Sequence, residues 1–295
     1  MLPPSPRGTQ FLKVARHSGF LLATLALSGC AGWVVRPAGP ISGAERLIFL
    51  NTLVIMLAIV VPVILLTIAF AWWYRASNTR ARYLPDWSFS GRIELVVWSI
   101  PALVVFFLGG IAWISAHQLD PAEPLAGKRA PLEIDVVALD WKWLFIYPQA
   151  GVASVNRLVV PSGVPLRLRL TSATVWNAFW VPELGSMLYC MYGMAGTLYL
   201  QADHPGRYHG VSAMISGDGF ASMHFDADAL SDAQFTAWTR SARSSGPALD
   251  ESAYRALLQP SSAIAPYSYR SVTPGLFDAI VLQRLPPGPG TAPSH

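Results

Sequence analysis

Charged residues are scarce in this sequence of 295 residues, and their scarcity excludes an ordinary water-soluble protein. Asp, Glu, Lys and Arg make up 13% of the chain, about half the usual share, whereas 53% is hydrophobic. The apolar excess lies mainly in two stretches without charge, 28 residues from Leu47 to Tyr74 and 22 from Leu95 to Ala116. A helix needs about 20 apolar residues to cross a bilayer, so both stretches predict transmembrane helices rather than buried core helices.

Cysteine is also rare, because Cys30 and Cys190 are the only two in the chain. Two cysteines cannot form a disulfide framework. Cys30 ends the stretch "LSGC", which follows a basic start and a short apolar run, as in a secretory leader. The stretch resembles a bacterial lipobox, so we expect cleavage before Cys30, a lipid on Cys30 and a lone thiol at Cys190. The alternative is an uncleaved short anchor with a chance cysteine.

The excess of positive charge belongs mostly to that leader. The whole chain has a formal net charge of +4. Without Arg7, Lys13 and Arg16 it keeps 18 basic and 17 acidic residues, which is a net charge of +1. The sequence therefore predicts no basic surface for nucleic acid.

The stretch between the two apolar runs carries arginine at positions 75, 80, 82 and 92, against Asp86 and Glu94. Loops rich in Lys and Arg stay in the cytoplasm, so this loop is predicted to be cytoplasmic. The N-terminus and everything after the second helix then lie in the periplasm. We therefore expect a multi-pass protein of the bacterial inner membrane, in contact with membrane lipid.

After a proline-rich linker the pattern changes to short strands. The stretch "LRLRL" from Leu166 to Leu170 alternates strictly, which is typical of a half-buried strand. Several other short runs rich in Val, Leu and aromatic residues are separated by Gly, Pro or Asp, and this spacing predicts an all-β sandwich.

Helix signals return after the strands. Ser231 with Gln234 forms a capping box, Asp250 is a predicted N-cap, and Thr273 with Pro274 predicts a third helix start. The chain thus divides into nine predicted segments: a leader (1–29), an N-terminal periplasmic segment (30–44), transmembrane helix 1 (45–75), a cytoplasmic loop (76–92), transmembrane helix 2 (93–117), a linker (118–130), a β-sandwich domain (131–229), a helical aromatic-rich segment (230–285) and a disordered tail (286–295).

One loop in the predicted sandwich has the form of a metal-binding loop without the ligands. The stretch "GRYHGVSAMISGDGFASMHF", residues 206–225, has small residues, turns and a closing methionine, Met223. Positions suited to thiolate, imidazole or carboxylate hold Ser212, Met214, Ser216 and Phe220 instead. The histidines at 204, 209 and 224 are the alternative candidates for a metal site.

Two transmembrane helices, a cytoplasmic hairpin and a periplasmic sandwich resemble subunit II of the haem-copper oxidases. In the members that oxidise cytochrome c, the sandwich is a cupredoxin with a dinuclear copper centre, held by loops like "HxxWxP" and "CxExCGxxHxxM". Here "WNAFWVP" places Asn177 at the first histidine, and the second loop keeps only its methionine, Met223. The resemblance therefore implies a cupredoxin-like domain without copper. The segments "HPGRYHG" and "SYRSVTPGLFDAIV" resemble the bo-type ubiquinol oxidases in particular.

That resemblance implies a non-catalytic subunit of a proton-pumping enzyme that oxidises quinol and reduces oxygen to water. Haems and copper are expected in subunit I, and none in this chain. Expected partners are subunit I and further small membrane subunits, without a docking site for soluble cytochrome c. The family carries a glutamate at the position of Glu94, near a proton-uptake channel of subunit I. A lipid-anchored cupredoxin electron carrier and a periplasmic assembly module are the alternatives.

Overall fold

The computed structural model describes residues 35–82, 84–127 and 129–289. The predicted leader and Cys30 lie outside these residues. Two long helices, α1 (Pro40–Trp73) and α2 (Gly91–Gln118), are joined by an irregular loop. Within the described part of the chain, these two helices are long and apolar enough to cross a membrane, with mean hydropathy of 3.1 and 2.3. Two apolar helices are therefore present where the sequence predicts them, with ends shifted by one to five residues.

Residues at and just before the start of α1 contact the sandwich. Ala38 N donates to Glu183 O at 2.7 Å, and Asp203 N donates to Ala38 O at 2.8 Å. Ser186 Oγ also donates to a carboxylate oxygen of Glu45 at 2.8 Å. The helix begins at Pro40 because these contacts hold the chain before it and a proline suits the first helical position.

Ten strands form a sandwich of two sheets: β1 (Leu132–Leu139), β2 (Lys142–Tyr147), β3 (Val152–Val155), β4 (Arg157–Pro161), β5 (Leu166–Ser172), β6 (Asn177–Trp180), β7 (Leu188–Cys190), β8 (Gly196–Leu200), β9 (Gly206–Ser212) and β10 (His224–Leu230). The sheet orders are β3-β2-β1-β5-β8 and β4-β10-β9-β6-β7, and the first gains a sixth strand described below. Strands β1 and β5 pair in parallel, as do β10 and β4. The predicted β-sandwich is confirmed.

Strand β1 is buried on both faces, which explains its nearly continuous apolar sequence. Ile134, Val136 and Ala138 point into the core between the two sheets. Val137 and Leu139 point to the other side, into a second core formed with the C-terminal segment. Successive strand residues face opposite sides, so a strand between two cores needs apolar residues at almost every position.

After residue 245 the C-terminal segment covers the outer face of the six-stranded sheet, whereas Phe235 and Trp238 before it pack against the core between the two sheets. Its elements are α3 (Asp232–Ser244), β11 (Ala248–Leu249), α4 (Glu251–Leu257), β12 (Tyr267–Tyr269), β13 (Ser271–Val272) and α5 (Leu276–Val281). The predicted caps at Ser231 and Asp250 are present. The short strands had not been predicted, and β12 pairs with the free edge of β3. Leu257, Phe277 and Ile280 fill the second core.

Two details of this segment correct the sequence analysis. Helix α5 begins after Gly275, whose φ of 74° suits glycine, and not at Thr273, whose hydroxyl bonds Leu249 O instead. Residues 286–289 of the predicted disordered tail belong to the described residues. Gly288 is buried, and its N–H donates to Ala173 O at 3.0 Å. A side chain at this position would collide with Thr174, so only glycine fits there.

Candidate functional site

The six residues that resemble the family's copper-ligand positions come from two strands, one loop and the residue that follows this loop. Asn177 opens β6 and Ser212 ends β9, and β6 pairs with β9 at Phe179 and Ser212. The closing loop, residues 213–222, follows β9 and leads through a short 3₁₀ turn (Phe220–Ser222) to Met223. Ser212 N donates to Met223 O at 3.1 Å, which joins the two ends of the loop. The fold therefore brings these positions to one end of the sandwich.

Asn177 and Ser212 form a buried, neutral hydrogen-bonded pair. Ser212 Oγ lies 3.1 Å from Asn177 Oδ1 and 3.3 Å from Met214 O, and it donates to these acceptors. Asn177 Nδ2 donates to Val175 O at 3.2 Å. Asn177 is 1% and Ser212 is 5% exposed. The polar atoms of both side chains are thus satisfied by the protein itself, as buried polar groups generally are.

Ser216 and Met223 also meet. Ser216 Oγ lies 3.9 Å from Met223 Sδ, the distance of a weak hydrogen bond to sulfur. Met223 is 2% exposed and belongs to the core between the sheets. Met214 and Phe220 are only half-buried. The interior beneath the closing loop is filled by other side chains, chiefly Trp143, Phe179 and Phe225.

Cys190 lies beside Asn177, which sequence reasoning had missed. Asn177 and Cys190 are directly opposite on β6 and β7, so their side chains share one face. Cys190 is fully buried, and burial raises the pKa of its thiol to about 12. The thiol is therefore neutral at physiological pH. The signal that could have revealed this neighbour is the pairing of "NAFW" with "LYC" as a hairpin.

Trp141 holds the closing loop from the side. Its Nε1–H donates to Ser216 O at 3.1 Å. Its ring lies so close to Gly219 that a Cβ there would collide with it, and a Cβ on Gly217 would lie 3.2 Å from it. Trp143, by contrast, is fully buried and packs edge-on against Phe179 and Phe225 in the core between the sheets.

The remaining candidates, His204, His209, His224 and Glu94, are exposed. His209 and His224 are exposed on neighbouring strands with ring centroids 5.4 Å apart. In the described residues, no group of three or more His, Cys, Asp or Glu side chains has an arrangement suited to a metal ion. Glu94 is exposed in the first turn of α2, within the long helices and not in the sandwich.

Comparison with known proteins places the chain in a family. Residues 133–230 match the family described as cytochrome c oxidase subunit II, periplasmic domain, and residues 243–288 match the COX aromatic rich motif. Ubiquinol oxidase subunit 2 of Acetobacter aceti is 44% identical over 91% of this chain and 88% of that protein. The chain belongs to the ubiquinol oxidase subunit 2 family.

Other members of this family are also similar over most of the chain. Cytochrome bo(3) ubiquinol oxidase subunit 2 of Pseudomonas aeruginosa is 42% identical over 93% of this chain and 83% of that protein. Quinol oxidase subunit 2 of Bacillus cereus is 34% identical over 80% of this chain and 82% of that protein. The family resemblance given by the sequence motifs is thereby confirmed, together with the role of an oxidase subunit.

The donor set of this family member does not fit a copper centre. Copper in proteins prefers thiolate, imidazole and thioether ligands. The six positions offer an amide, two hydroxyls, the two thioethers of Met214 and Met223, and the ring of Phe220, without a thiolate or an imidazole. The Asn177 amide and both hydroxyls already have hydrogen-bond partners. What this arrangement can do is hold the loop in one conformation by neutral hydrogen bonds and packing.

Proposed function

We propose that this chain is a non-catalytic subunit of a proton-pumping quinol oxidase in the bacterial inner membrane. Haems and copper belong to subunit I, and this chain stabilises subunit I and covers its periplasmic face. The observation that carries the proposal is the buried Asn177–Ser212 pair, since hydrogen bonds replace metal ligands there. An oxidase that takes electrons from quinol within the membrane has no need of a periplasmic copper that receives them from soluble cytochrome c.

The exposed surface of the long helices supports a subunit role. Apolar side chains on α1 and α2 point outwards along both helices, for example Val105 at 69% and Phe107 at 66% exposed. Such surfaces suit lipid or the helices of partner subunits. In this proposal α1 and α2 pack beside subunit I and other small membrane subunits, with the N-terminus and the sandwich in the periplasm and the arginine-rich loop in the cytoplasm.

Glu94 is the proposed link to proton uptake. It lies in the first turn of α2, follows Arg92 at the end of the arginine-rich loop and is exposed. A carboxylate at the boundary between water and membrane can collect protons and pass them on through water. Its side chain also suits a helix start, because negative charge near a helix N-terminus is favourable.

The copper content of the purified oxidase tests the proposal. We expect the chain, separated from subunit I under native conditions, to contain no stoichiometric copper by elemental analysis. Stoichiometric copper bound by this chain would contradict the proposal and favour the alternative of a cupredoxin electron carrier. Purification without a haem-containing partner would instead favour an assembly module.

Rebuilding the ligand set provides the positive control. The combined changes Asn177→His, Ser212→Cys, Met214→Glu, Ser216→Cys and Phe220→His complete the set with Met223. We expect the variant to bind copper and become purple, because the backbone still brings all six positions together. A folded variant that binds no copper would show that the loop no longer has the geometry of the lost site. The matched control keeps Ser212 and Ser216 and carries only the other three changes.

A further inference from the structure

The two-residue turn between β1 and β2 has an unusual backbone. Trp141 has φ of 61°, in the left-handed region, which a bulky residue rarely adopts. Such a conformation persists where the surrounding contacts determine it. The turn is formed by Asp140 and Trp141, and Lys142 opens the next strand. The contacts of Trp141 and Lys142 explain what holds it.

On one side of the turn, Trp141 lies against the closing loop. Its indole N–H bonds the carbonyl of Ser216, and its ring occupies the space in which Gly217 and Gly219 lack side chains. The closing loop is therefore in contact with this turn through both a hydrogen bond and close packing.

On the other side, Lys142 holds the strap, residues 259–264, which connects α4 to β12. Lys142 is 1% exposed, and its Nζ donates to Gln259 O at 2.7 Å and to Ser261 Oγ at 2.6 Å. Ser261 N returns a bond to Asp140 O at 3.4 Å. The strap thus contributes acceptors to a buried ammonium, which without them would be costly to bury.

We propose that this turn couples the strap to the closing loop, with Trp141 and Lys142 as positioning residues for that loop. The two side chains belong to adjacent residues, so the turn cannot shift towards one partner without moving the other. The coupling keeps the closing loop in place with Ile215, 80% exposed, at its outer side. It depends only on these contacts, and it holds whatever the copper content of the chain.

Hydrogen exchange of the full chain in the detergent-solubilised oxidase tests the coupling. Trp141→Phe keeps a ring but removes the donor to Ser216, and Ser261→Ala removes one acceptor of Lys142. We expect exchange in residues 213–222 to become about fivefold faster in Trp141→Phe, the factor for one lost hydrogen bond. In Ser261→Ala we expect about fivefold faster exchange in the strap and at least about twofold in the closing loop. The loop at residues 201–205 serves as the internal control and should not change.

The reverse direction provides an independent check. Gly219→Ala places a methyl group against the ring of Trp141 and should also speed exchange in the strap, because coupling acts both ways. In the double variant Trp141→Phe/Ser261→Ala, the effect on the closing loop should be smaller than the product of the two single effects. The proposal is overturned if Ser261→Ala changes only the strap, if Gly219→Ala leaves the strap unchanged, or if the effect of the double variant on the closing loop equals the full product of the two single effects.

Discussion

The long helices and the β-sandwich place their apolar side chains in opposite ways. On α2, Trp98 is 75% and Phe106 is 78% exposed. In the sandwich, Phe145, Phe179 and Phe225 are at most 1% exposed and pack ring against ring. The sandwich therefore buries its apolar side chains in its own core, whereas those of the helices need a bilayer or a partner subunit to cover them.

The difference shows that apolar residues are buried within the protein in one type of secondary structure and left exposed in the other. A helix that is apolar all round cannot bury its surface against one neighbour, so it needs an apolar solvent. A strand has two faces, and the sandwich buries both faces of β1 by placing a core on each side. Four changes test this contrast, from the largest expected effect to the smallest.

The largest effect should come from Phe225→Ala in the sandwich core. Removing this buried ring should destabilise the fold by about 3–5 kcal/mol, the usual cost of such a cavity. The matched control, Phe106→Ala, should leave the unfolding of the sandwich unchanged, since that ring is exposed on α2. Near-ultraviolet circular dichroism of the detergent-solubilised chain during thermal unfolding measures the stability of both variants. Equal destabilisation by the two variants would contradict the comparison.

The second effect concerns the buried Lys142. Burial lowers the pKa of Lys142 to about 8 from an ordinary value of 10.5, although the Asp140 carboxylate acts in the opposite direction. Between these two values the unfolded chain binds the proton and the folded chain does not. Stability should therefore rise with pH over this window, by about 1–3 kcal/mol relative to Lys142→Met.

The comparison with Lys142→Met is needed because buried tyrosines lower the stability at high pH, whereas Lys142 raises it. Burial raises the pKa of Tyr147 and Tyr254, so the unfolded chain loses their protons first and stability falls. The measurement is the difference in free energy of unfolding between the two proteins at pH 8 and pH 10.5. A difference that is independent of pH would show that Lys142 stays charged in the fold, held by its three acceptors.

The third change, Glu94→Gln, should affect activity rather than the fold. The residue is exposed at the start of α2, so the sandwich should unfold as before and the oxidase should stay assembled. Turnover should slow, because the amide cannot accept the proton that the carboxylate does. Oxygen uptake and proton release by the reconstituted oxidase provide the measurement, with Asp86→Asn in the preceding loop as control. Normal rates in both variants would leave Glu94 with only a role at the helix start.

The smallest effect should come from Cys30→Ser. We expect it to abolish lipidation without releasing the chain from the membrane, because two spanning helices bind far more firmly than a single acyl chain. The intact mass shows whether the chain carries a lipid. Membrane fractionation shows where the chain is located. An unmodified chain that starts at Met1 would contradict the prediction of a lipidated Cys30.

Features that depend on neighbours along the chain were determined by the sequence itself. The two apolar runs predicted α1 and α2, alternation predicted β5, and Ser231 and Asp250 predicted the starts of α3 and α4. The six positions that resemble the copper ligands of a known family could also be named from the sequence, because they follow the order of its two motifs. These signals are local, so they survive without knowledge of the tertiary structure.

Other features were decided only by the tertiary structure. Cys190 lies beside Asn177 because β7 pairs with β6, and β12 is a strand because β3 offers it a free edge. The starting point of α5 and the position of Gly288 likewise depend on contacts with Leu249 and Ala173, which are distant in sequence. Trp141 adopts its left-handed backbone between the closing loop and the strap, which lie more than 70 and 115 residues away. Pairing register and packing determine such contacts, and neither is encoded in the pattern of a single segment.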